Sequence, residues 1–387
     1  MQYVNLGGSL ADGEGYRLHE GNYWPGQPTI IRAPGWPLFL SVPFRLTPRE
    51  ARLRTSRFLA AALDSLNAVL MALLALALGA GGLTAAAAGL LYAVNPVMSG
   101  LCALSASEPL GIVFLLLSLL VVARKNDFTG WSWPLCGFLL GCSALVRMNW
   151  ILVAFLLAPG LLWVGRSKPG SAVLRATAVC VVALGVVSPW VVRNSIVFGR
   201  TLVLGGGGGE TLVGGNNDLA AEVGGEHWGY IVQPGGIPGE EPLHELAATM
   251  DESEVNSYYV GRALTWLRAN PRKIPGLVLG KLFRAYVPWP RSRGLPVLVG
   301  TAYRWIVYVL AAWGVIVCIR RGTRIDGNSF AALLAVVLAH LAVTVVFCGV
   351  SRYIVASEIL LCIPAAVIPS LLWRRVSQCS AIRHGSV

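Results

Sequence analysis

The sequence predicts an all-α polytopic membrane protein, a bundle of about nine transmembrane helices with two long external loops bearing amphipathic interfacial helices. Three observations carry that prediction. Of 387 residues, 55% are hydrophobic and only 13% are charged, which is not the composition of a soluble chain. Nine apolar runs reach or approach the length needed to cross roughly 30 Å of hydrocarbon. Lys and Arg collect at alternate ends of those runs.

Taken in order, residues 1–56 are a polar, glycine-punctuated first external segment, and "IIRAPGWPLFL" within it reads as a turn feeding an apolar helix that lies in the membrane interface. Apolar runs then cover 58–79, 83–99, 109–123, 131–146, 150–164 and 173–192, followed by 302–319, 329–348 and 353–373. The runs at 83–99 and 131–146 are short and interrupted by Asn95, Pro96 and Pro134. The domain organisation is thus 1–56, 57–193 with six spans, 194–301 as a second external region, and 302–387 with three spans and a basic cytoplasmic tail.

Orientation follows from the short connections. One set of ends carries Arg124, Lys125, Arg166, Lys168, Arg175, Arg320, Arg321, Arg324, Arg374, Arg375 and Arg383, against only Arg147 and Arg352 on the other. This puts the C-terminus in the cytoplasm and residues 1–56 and 193–301 outside, in a multi-pass protein of the plasma or inner membrane. The cluster Arg45, Arg49, Arg52, Arg54 and Arg57 runs against that bias, either as snorkelling anchors or as a site for an anionic head group. A net charge of +12 without an aromatic-interleaved basic patch points to membrane lipids and excludes a nucleic-acid surface. The eight cysteines show no CxxC spacing and read as small apolar residues, and no metal-ligand cluster is visible.

The outer connections hold the candidate site residues. Arg32 sits in "RAPGWPLF", Arg147 in "ALVRMNW", Arg193 in "SPWVVRNSIVFGR" and Arg352 beside Tyr353 in "GVSRYIV". Each arginine alone fits a membrane anchor; several on the side that the orientation rule depletes of cations point to phosphate binding. Asp12 and Glu14 in "LADGEGY" and Glu108 in "SASEPLG" are the acidic candidates, with helix capping as the structural alternative for Glu108. The run "GGGGGETLVGGNN" lacks a P-loop lysine and predicts a flexible or backbone-close loop. Asp64 and His340 fall within spans, where polar groups hydrogen-bond between helices.

As an ordered set these stretches resemble the GT-C type polyprenyl-phosphate-sugar glycosyltransferases, the family of protein O-mannosyltransferases and lipid A aminoarabinose transferases. The similarity is to the bacterial branch with an RPPGYPLF-like loop motif, here "RAPGWPLF" with Ala33 and Trp36 as departures. "SASEPL", "SALVRMNW" without the family's proline, "SPWVVRNSIVFG", "GGNN", "ANPRKIPGLVLGKLFRAY" and "GVSRYIV" follow in the family's order over nearly the whole chain. The resemblance implies a first transmembrane helix and a catalytic carboxylate ahead of Tyr3, so it predicts that both precede Met1, that the chain begins inside an external loop as a truncated or mis-started product, and that it is inactive on its own.

What the resemblance implies chemically is inverting transfer of a sugar from a polyprenyl-phosphate donor to a hydroxyl of an acceptor glycan, lipid or protein at the outer face. Positive charge must meet the departing phosphate, for which Arg32, Arg147, Arg193 and Arg352 are the candidates, with Glu108 and Tyr353 supporting. A base must take the hydroxyl proton, for which Asp12 and Glu14 are the candidates in the chain. No organic cofactor is expected, and a divalent metal is left open. The rival readings are a transporter or lipid-carrier flippase and a relative that binds lipid phosphate without transfer; no internal repeat supports the first.

Overall fold

The computed structural model describes residues 1–21, 23–124, 131–200, 205, 207–288 and 294–371. Lys125, Arg374, Arg375, Arg383 and Cys379 lie outside the described residues, as do 201–204 and Gly206 ahead of the glycine-rich "GETLVGG". Regular structure among the described residues is helical, apart from one isolated bridge between Arg17 and Pro28. In chain order the first half comprises α1 (Gln2–Ala11), α2 (Gly35–Phe44), α3 (Arg52–Ala77), α4 (Gly82–Ala93), α5 (Pro96–Ala103), α6 (Glu108–Ala123), α7 (Ser132–Val146), α8 (Ile151–Val164) and α9 (Pro169–Phe198). A second polar region contributes α10 (Gly208–Gly215), α11 (Asp218–Ala221), α12 (Leu243–Leu246), α13 (Glu252–Ala269) and α14 (Ile274–Tyr286). Two long helices follow, α15 (Leu295–Arg320) and α16 (Gly327–Val346), then α17 (Val355–Glu358) and α18 (Cys362–Ala365) within an apolar stretch ending at Leu371.

Over its described residues each of the nine apolar runs is helical, yet they differ in reach. α3 with its lead-in turn from Arg49, α9, α15 and α16 are long and apolar enough to cross a membrane, and α4 with α5 makes a fifth if a pair bent by 45° counts as one span. The runs at α6, α7, α8 and Val355–Leu371 form shorter apolar helices. The bend has a local cause. Pro96 cannot donate to α4 and forces Asn95 into an extended conformation, whereupon the Asn95 side chain accepts hydrogen bonds from Val97 N (2.9 Å) and Met98 N (3.4 Å) to cap α5.

Two helices overrun the apolar runs that predict them. α3 begins inside the basic cluster, so Arg52, Arg54 and Arg57 are helical. α9 continues to Phe198 through Pro189, whose missing N–H would orphan the Gly185 carbonyl; Ser188 Oγ donates to that carbonyl at 2.9 Å instead. Arg193 therefore stands on a helix, which Gly199 ends at φ 64°. Residues 2–11, expected as loop, form α1, and its buried Val4 joins Trp36, Leu40 and Phe44 of α2 in one apolar cluster.

The main core lies between α3, α4, α6, α7, α8 and α16. Polar groups inside it find partners between helices or turn inward on their own backbone: Tyr92 OH donates to Asp64 at 2.6 Å, Asn67 donates to the Pro109 carbonyl at 2.9 Å, and His340 Nδ1 lies 2.7 Å from the Val336 carbonyl of its own helix. The His340 ring also meets Trp150 edge-on at 5.6 Å. At the end of the bundle carrying the short-loop cations, Arg166 covers Trp163 at 4.7 Å and Arg175 covers Trp133 at 5.7 Å, each an amphipathic anchor.

Candidate functional site

The connections that the charge count assigns to the opposite face converge at one end of the bundle. The turn ahead of α6 is tightly specified: Ser105 takes a left-handed φ of 53°, its hydroxyl bonds Ser56 Oγ at 2.7 Å, and its carbonyl accepts from the Trp36 indole at 3.0 Å. Glu108 follows as the first residue of α6 and is wholly buried. Its carboxylate is engaged by two guanidiniums, Arg147 Nη1 at 2.6 Å from Oε1, Arg352 Nη2 at 2.9 Å from Oε2, and Arg352 Nε on Oε1. A buried carboxylate in this setting is tolerable only because it is paired.

Arg32 reaches the same place from the first segment. Gly35 lets the "RAPGW" turn press on the end of α7, where an added Cβ would stand 2.8 Å from Val146 and 2.9 Å from the Leu145 carbonyl. Tyr16 OH donates toward the carbonyls of Arg32 (2.9 Å) and Ala33 (3.2 Å), fixing the turn from behind. The Arg32 guanidinium lies over the Tyr3 ring at 5.6 Å and donates to Gln2 at 2.8 Å.

Arg193 occupies a neighbouring position and does a different task. It packs against an edge-to-face pair, the Tyr16 ring at 5.6 Å and the Trp190 ring at 5.0 Å, and it donates to the Thr29 carbonyl at 3.0 Å. Glu252, at the start of α13, grips the same stretch: its Oε2 accepts from Thr29 Oγ1 at 2.7 Å and from Ile30 N at 3.1 Å, while Oε1 is buried without a partner. Burial pushes the Glu252 carboxyl up to about 7, against the lowering pull of Thr29, Ile30 and Arg193. Its folded value exceeds the unfolded one, so its contribution to stability is present below the ordinary carboxyl range and is lost as pH rises through about 7. Glu252→Gln is therefore expected to stabilise the fold at pH 8 by on the order of 3 kcal/mol, read as a higher thermal midpoint, and to flatten the stability profile between about pH 5 and 8. Parallel profiles for variant and wild type would remove Glu252 as the titrating link.

The second polar region positions Arg352 through its partner loop. Lys281, within the apolar stretch "IPGLVLGKLF" of α14, is 1% exposed and donates to Asn216 Oδ1 (2.8 Å) and to the carbonyls of Val345 (2.9 Å) and Val346 (3.2 Å). It thus closes the C-terminus of α16, the end where the helix dipole favours a cation; burial alone lowers its amine to about 8. Gly349 N donates to the Gly229 carbonyl at 2.8 Å, and an added Cβ on Gly215 would lie 1.8 Å from the Phe347 carbonyl, so this turn is packed backbone to backbone. The glycine-rich stretch is accordingly backbone-close as expected, and 208–215 is helical where a loop was expected.

A cavity of about 400 Å³ opens where these pieces meet, lined among others by Tyr3, Arg32, Arg147, Asn149, Arg352 and Tyr353. Three guanidiniums against the single carboxylate of Glu108 leave it positive. Arg193 does not line it. Neither do Asp12 and Glu14: Asp12 is held by Arg52 at 2.6 and 2.9 Å and Arg49 at 3.0 Å, which keep its carboxyl below the usual range, and Glu14 pairs with His19 at 2.8 Å. Two arginines of the basic cluster are thereby accounted for. Among the described residues no Asp or Glu lines the cavity, and none of the His, Cys, Asp and Glu side chains gather as a metal site would require. Glu210 sits beside the lining residues Gly208 and Thr211, its carboxyl raised by burial. Glu210, Glu252 and Lys281 are absent from the residues singled out in the sequence; only Lys281 carried a signal, as a charge inside the apolar stretch "IPGLVLGKLF".

No protein-family model matches the chain, and no curated protein aligns with it significantly. Solved structures are similar. The apo oligosaccharyltransferase of Archaeoglobus fulgidus gives a TM-score of 0.55 at 12% identity, covering 99% of this chain and 47% of that one. The oligosaccharyltransferase AglB from Archaeoglobus fulgidus, in complex with an inhibitory peptide and a dolichol-phosphate, gives 0.55 at 10% identity with the same coverage. The Archaeoglobus fulgidus enzyme tethered by a disulfide to an acceptor peptide containing the NVT sequon gives 0.54 at 11%, over 98% and 46%. The chain spans about half the length of these proteins, and what it shares with them at such identity is the fold.

Proposed function

We propose that the chain is a membrane glycosyltransferase of the GT-C type, moving a sugar from a polyprenyl-phosphate donor to a hydroxyl of an envelope glycan, lipid or protein at the outer face of the cell membrane. The observation that carries this reading is the positive cavity at the end of the bundle, built from Arg32, Arg147 and Arg352 around the buried Glu108. Its support from outside is the shared fold with an oligosaccharyltransferase of which one structure holds a dolichol-phosphate.

The leaving group in such a reaction is a phosphate monoester on a lipid. Guanidinium N–H groups already oriented by Glu108 would meet its charge without reorganising, with Tyr353 beside them as a further hydrogen-bond donor. Arg193 acts at one remove, holding Thr29 and thereby the turn that presents Arg32. For the base, Asp12 and Glu14 would serve only after leaving their ion pairs, and Glu210 joins them as a carboxylate next to the cavity wall.

The full chain in lipid nanodiscs is expected to bind undecaprenyl phosphate and, where one of its own carboxylates serves as the base, to release polyprenyl phosphate from at least one of a panel of polyprenyl-phosphate hexoses and pentoses. A chain that neither releases polyprenyl phosphate nor binds undecaprenyl phosphate would overturn the reading. The broken α4–α5 pair favours a lipid-carrier flippase as the second reading, which would move the lipid across a vesicle with its sugar intact. The face is tested separately: Glu222 is exposed, and Glu222→Cys in a background without native cysteines is expected to react with an impermeant maleimide in intact cells.

A further inference from the structure

A second cavity, of about 320 Å³, lies next to the arginine-lined one, and Tyr230 and Val350 line both. Its character differs. Among the described residues the only charged side chain on its wall is Arg304, and that charge is compensated: Arg304 donates to Glu358 from Nε at 2.9 Å and from Nη2 at 2.5 Å, to the Ala285 carbonyl at 2.7 Å and to Tyr308 OH at 3.1 Å. The remaining polar lining is hydroxyl, from Thr301, Ser351 and Tyr230, set among Val97, Val287 and Val297.

The partition between the cavities is braced. The Arg284 guanidinium lies over the Tyr230 ring at 5.4 Å and donates to the carbonyls of Trp228 (2.5 Å) and Glu226. Gly349 is bonded to the Gly229 carbonyl, so the residues adjoining Tyr230 and Val350 are tied to each other. The floor is the kink that Asn95 and Pro96 create between α4 and α5, and the opposite wall is the first turn of α15.

A transferase must hold two substrates with their reacting atoms together. One cavity here is suited to an anion and its neighbour to an uncharged group, and they meet at one aromatic residue. Resting on the glycosyltransferase reading above, we propose that the second cavity is the acceptor compartment, taking a neutral, hydroxyl-bearing head carried on an apolar anchor, with Tyr230 as the surface on which the acceptor hydroxyl approaches the donor. Hydroxyls and an aromatic face recognise such a head by hydrogen bonds and stacking, and the valines accept its anchor. The polyprenyl chain of the donor is the competing occupant. Three hydroxyl groups on the wall argue against it, since an isoprenoid would leave them without partners.

Gly300 supplies the test. It faces this cavity from α15, and an added Cβ there would meet nothing nearer than Val97 Cγ2 at 3.9 Å, so Gly300→Leu starts without a clash and projects its side chain into the space. The full chain in nanodiscs is photolabelled with a diazirine-bearing alkyl glucoside, and binding of undecaprenyl phosphate is measured alongside. Labelling is expected at 296–301 and 350–351, to fall about tenfold or more in Gly300→Leu, as loss of a well-matched pocket requires, and to persist in Arg32→Ala. Undecaprenyl phosphate binding is expected to show the reverse pattern. Gly300→Ser leaves the cavity open and is expected to label as wild type, separating filled space from a disturbed helix. Label that undecaprenyl phosphate displaces, together with undecaprenyl phosphate binding lost in Gly300→Leu, would assign the cavity to the donor chain and overturn the proposal. So would label that is absent from these segments or indifferent to Gly300→Leu. A chain that binds no undecaprenyl phosphate yet labels as expected would instead refute the lipid-phosphate donor.

Discussion

Glu108→Ala is expected to cost about 3–5 kcal/mol of stability, the loss that follows when one partner of a buried ion pair is removed and the other charge remains. The carboxylate is completely buried, and the Arg147 side chain, 11% exposed, has little access to water with which to replace it. Its remaining neighbour, the Trp150 ring at 6.0 Å, offers only a weak cation–π contact in exchange. Arg352, more exposed, would lose its orientation more than its solvation. The Glu108→Gln variant separates charge from shape: it keeps the volume and one acceptor oxygen, and it is expected to recover part of the loss. Because the deleted group is an anion between two cations, inorganic phosphate is expected to raise the midpoint of Glu108→Ala more than that of the wild type. Thermal unfolding in detergent with and without phosphate measures both effects. An unchanged midpoint in Glu108→Ala would show that the two arginines are solvated and that the triad contributes nothing to the fold.

The helical bundle was legible in the sequence because it depends on composition and run length, both local properties. Over its described residues every apolar run is helical, 83–99 as two helices and the run from 353 in short pieces. What the runs could not reveal was where each helix stops, since that depends on single side chains: Asn95 capping α5, Ser188 rescuing the carbonyl freed by Pro189, and a basic cluster that is helical although polar. The site was legible in the same partial sense. Arg32, Glu108, Arg147 and Arg352 fall in four separate connections, and the orientation rule alone places those connections at one end of the bundle. Pairing is not local, so no pattern in the sequence could tell that Asp12 belongs to Arg52, or that Arg193 belongs to Tyr16 and Trp190 rather than to the cavity. The motif "GGNN" acquires its physical meaning only with the fold in view, because Asn216 accepts from Lys281 some way along the chain and together they fix the end of α16.

Arg352→Ala is expected to weaken undecaprenyl phosphate binding by about 10–150-fold, the factor equivalent to the roughly 1.5–3 kcal/mol of a charged hydrogen bond left unmade. The guanidinium has five donor positions, of which Nε and one Nη2 hydrogen serve Glu108, and 40% of the side chain is exposed where it lines the cavity. Donors are therefore left over for a phosphate, and Glu108 fixes the plane in which they point. Arg352→Lys keeps the charge but loses the planar fork, so it is expected to fall between wild type and alanine. Arg193→Ala is the informative contrast. Its Nη1 donates to the Thr29 carbonyl and Asn194, it packs against Tyr16 and Trp190, and it does not line the cavity, so its loss is expected to lower the thermal midpoint while shifting phosphate binding by less than about fivefold. Binding of wild-type strength in Arg352→Ala would make that residue a counter-ion to Glu108 and nothing more. Equal losses in Arg193→Ala and Arg352→Ala, with unfolding midpoints unchanged in both, would place the phosphate at Arg193 as well and require the cavity to extend beneath the "RAPGW" turn.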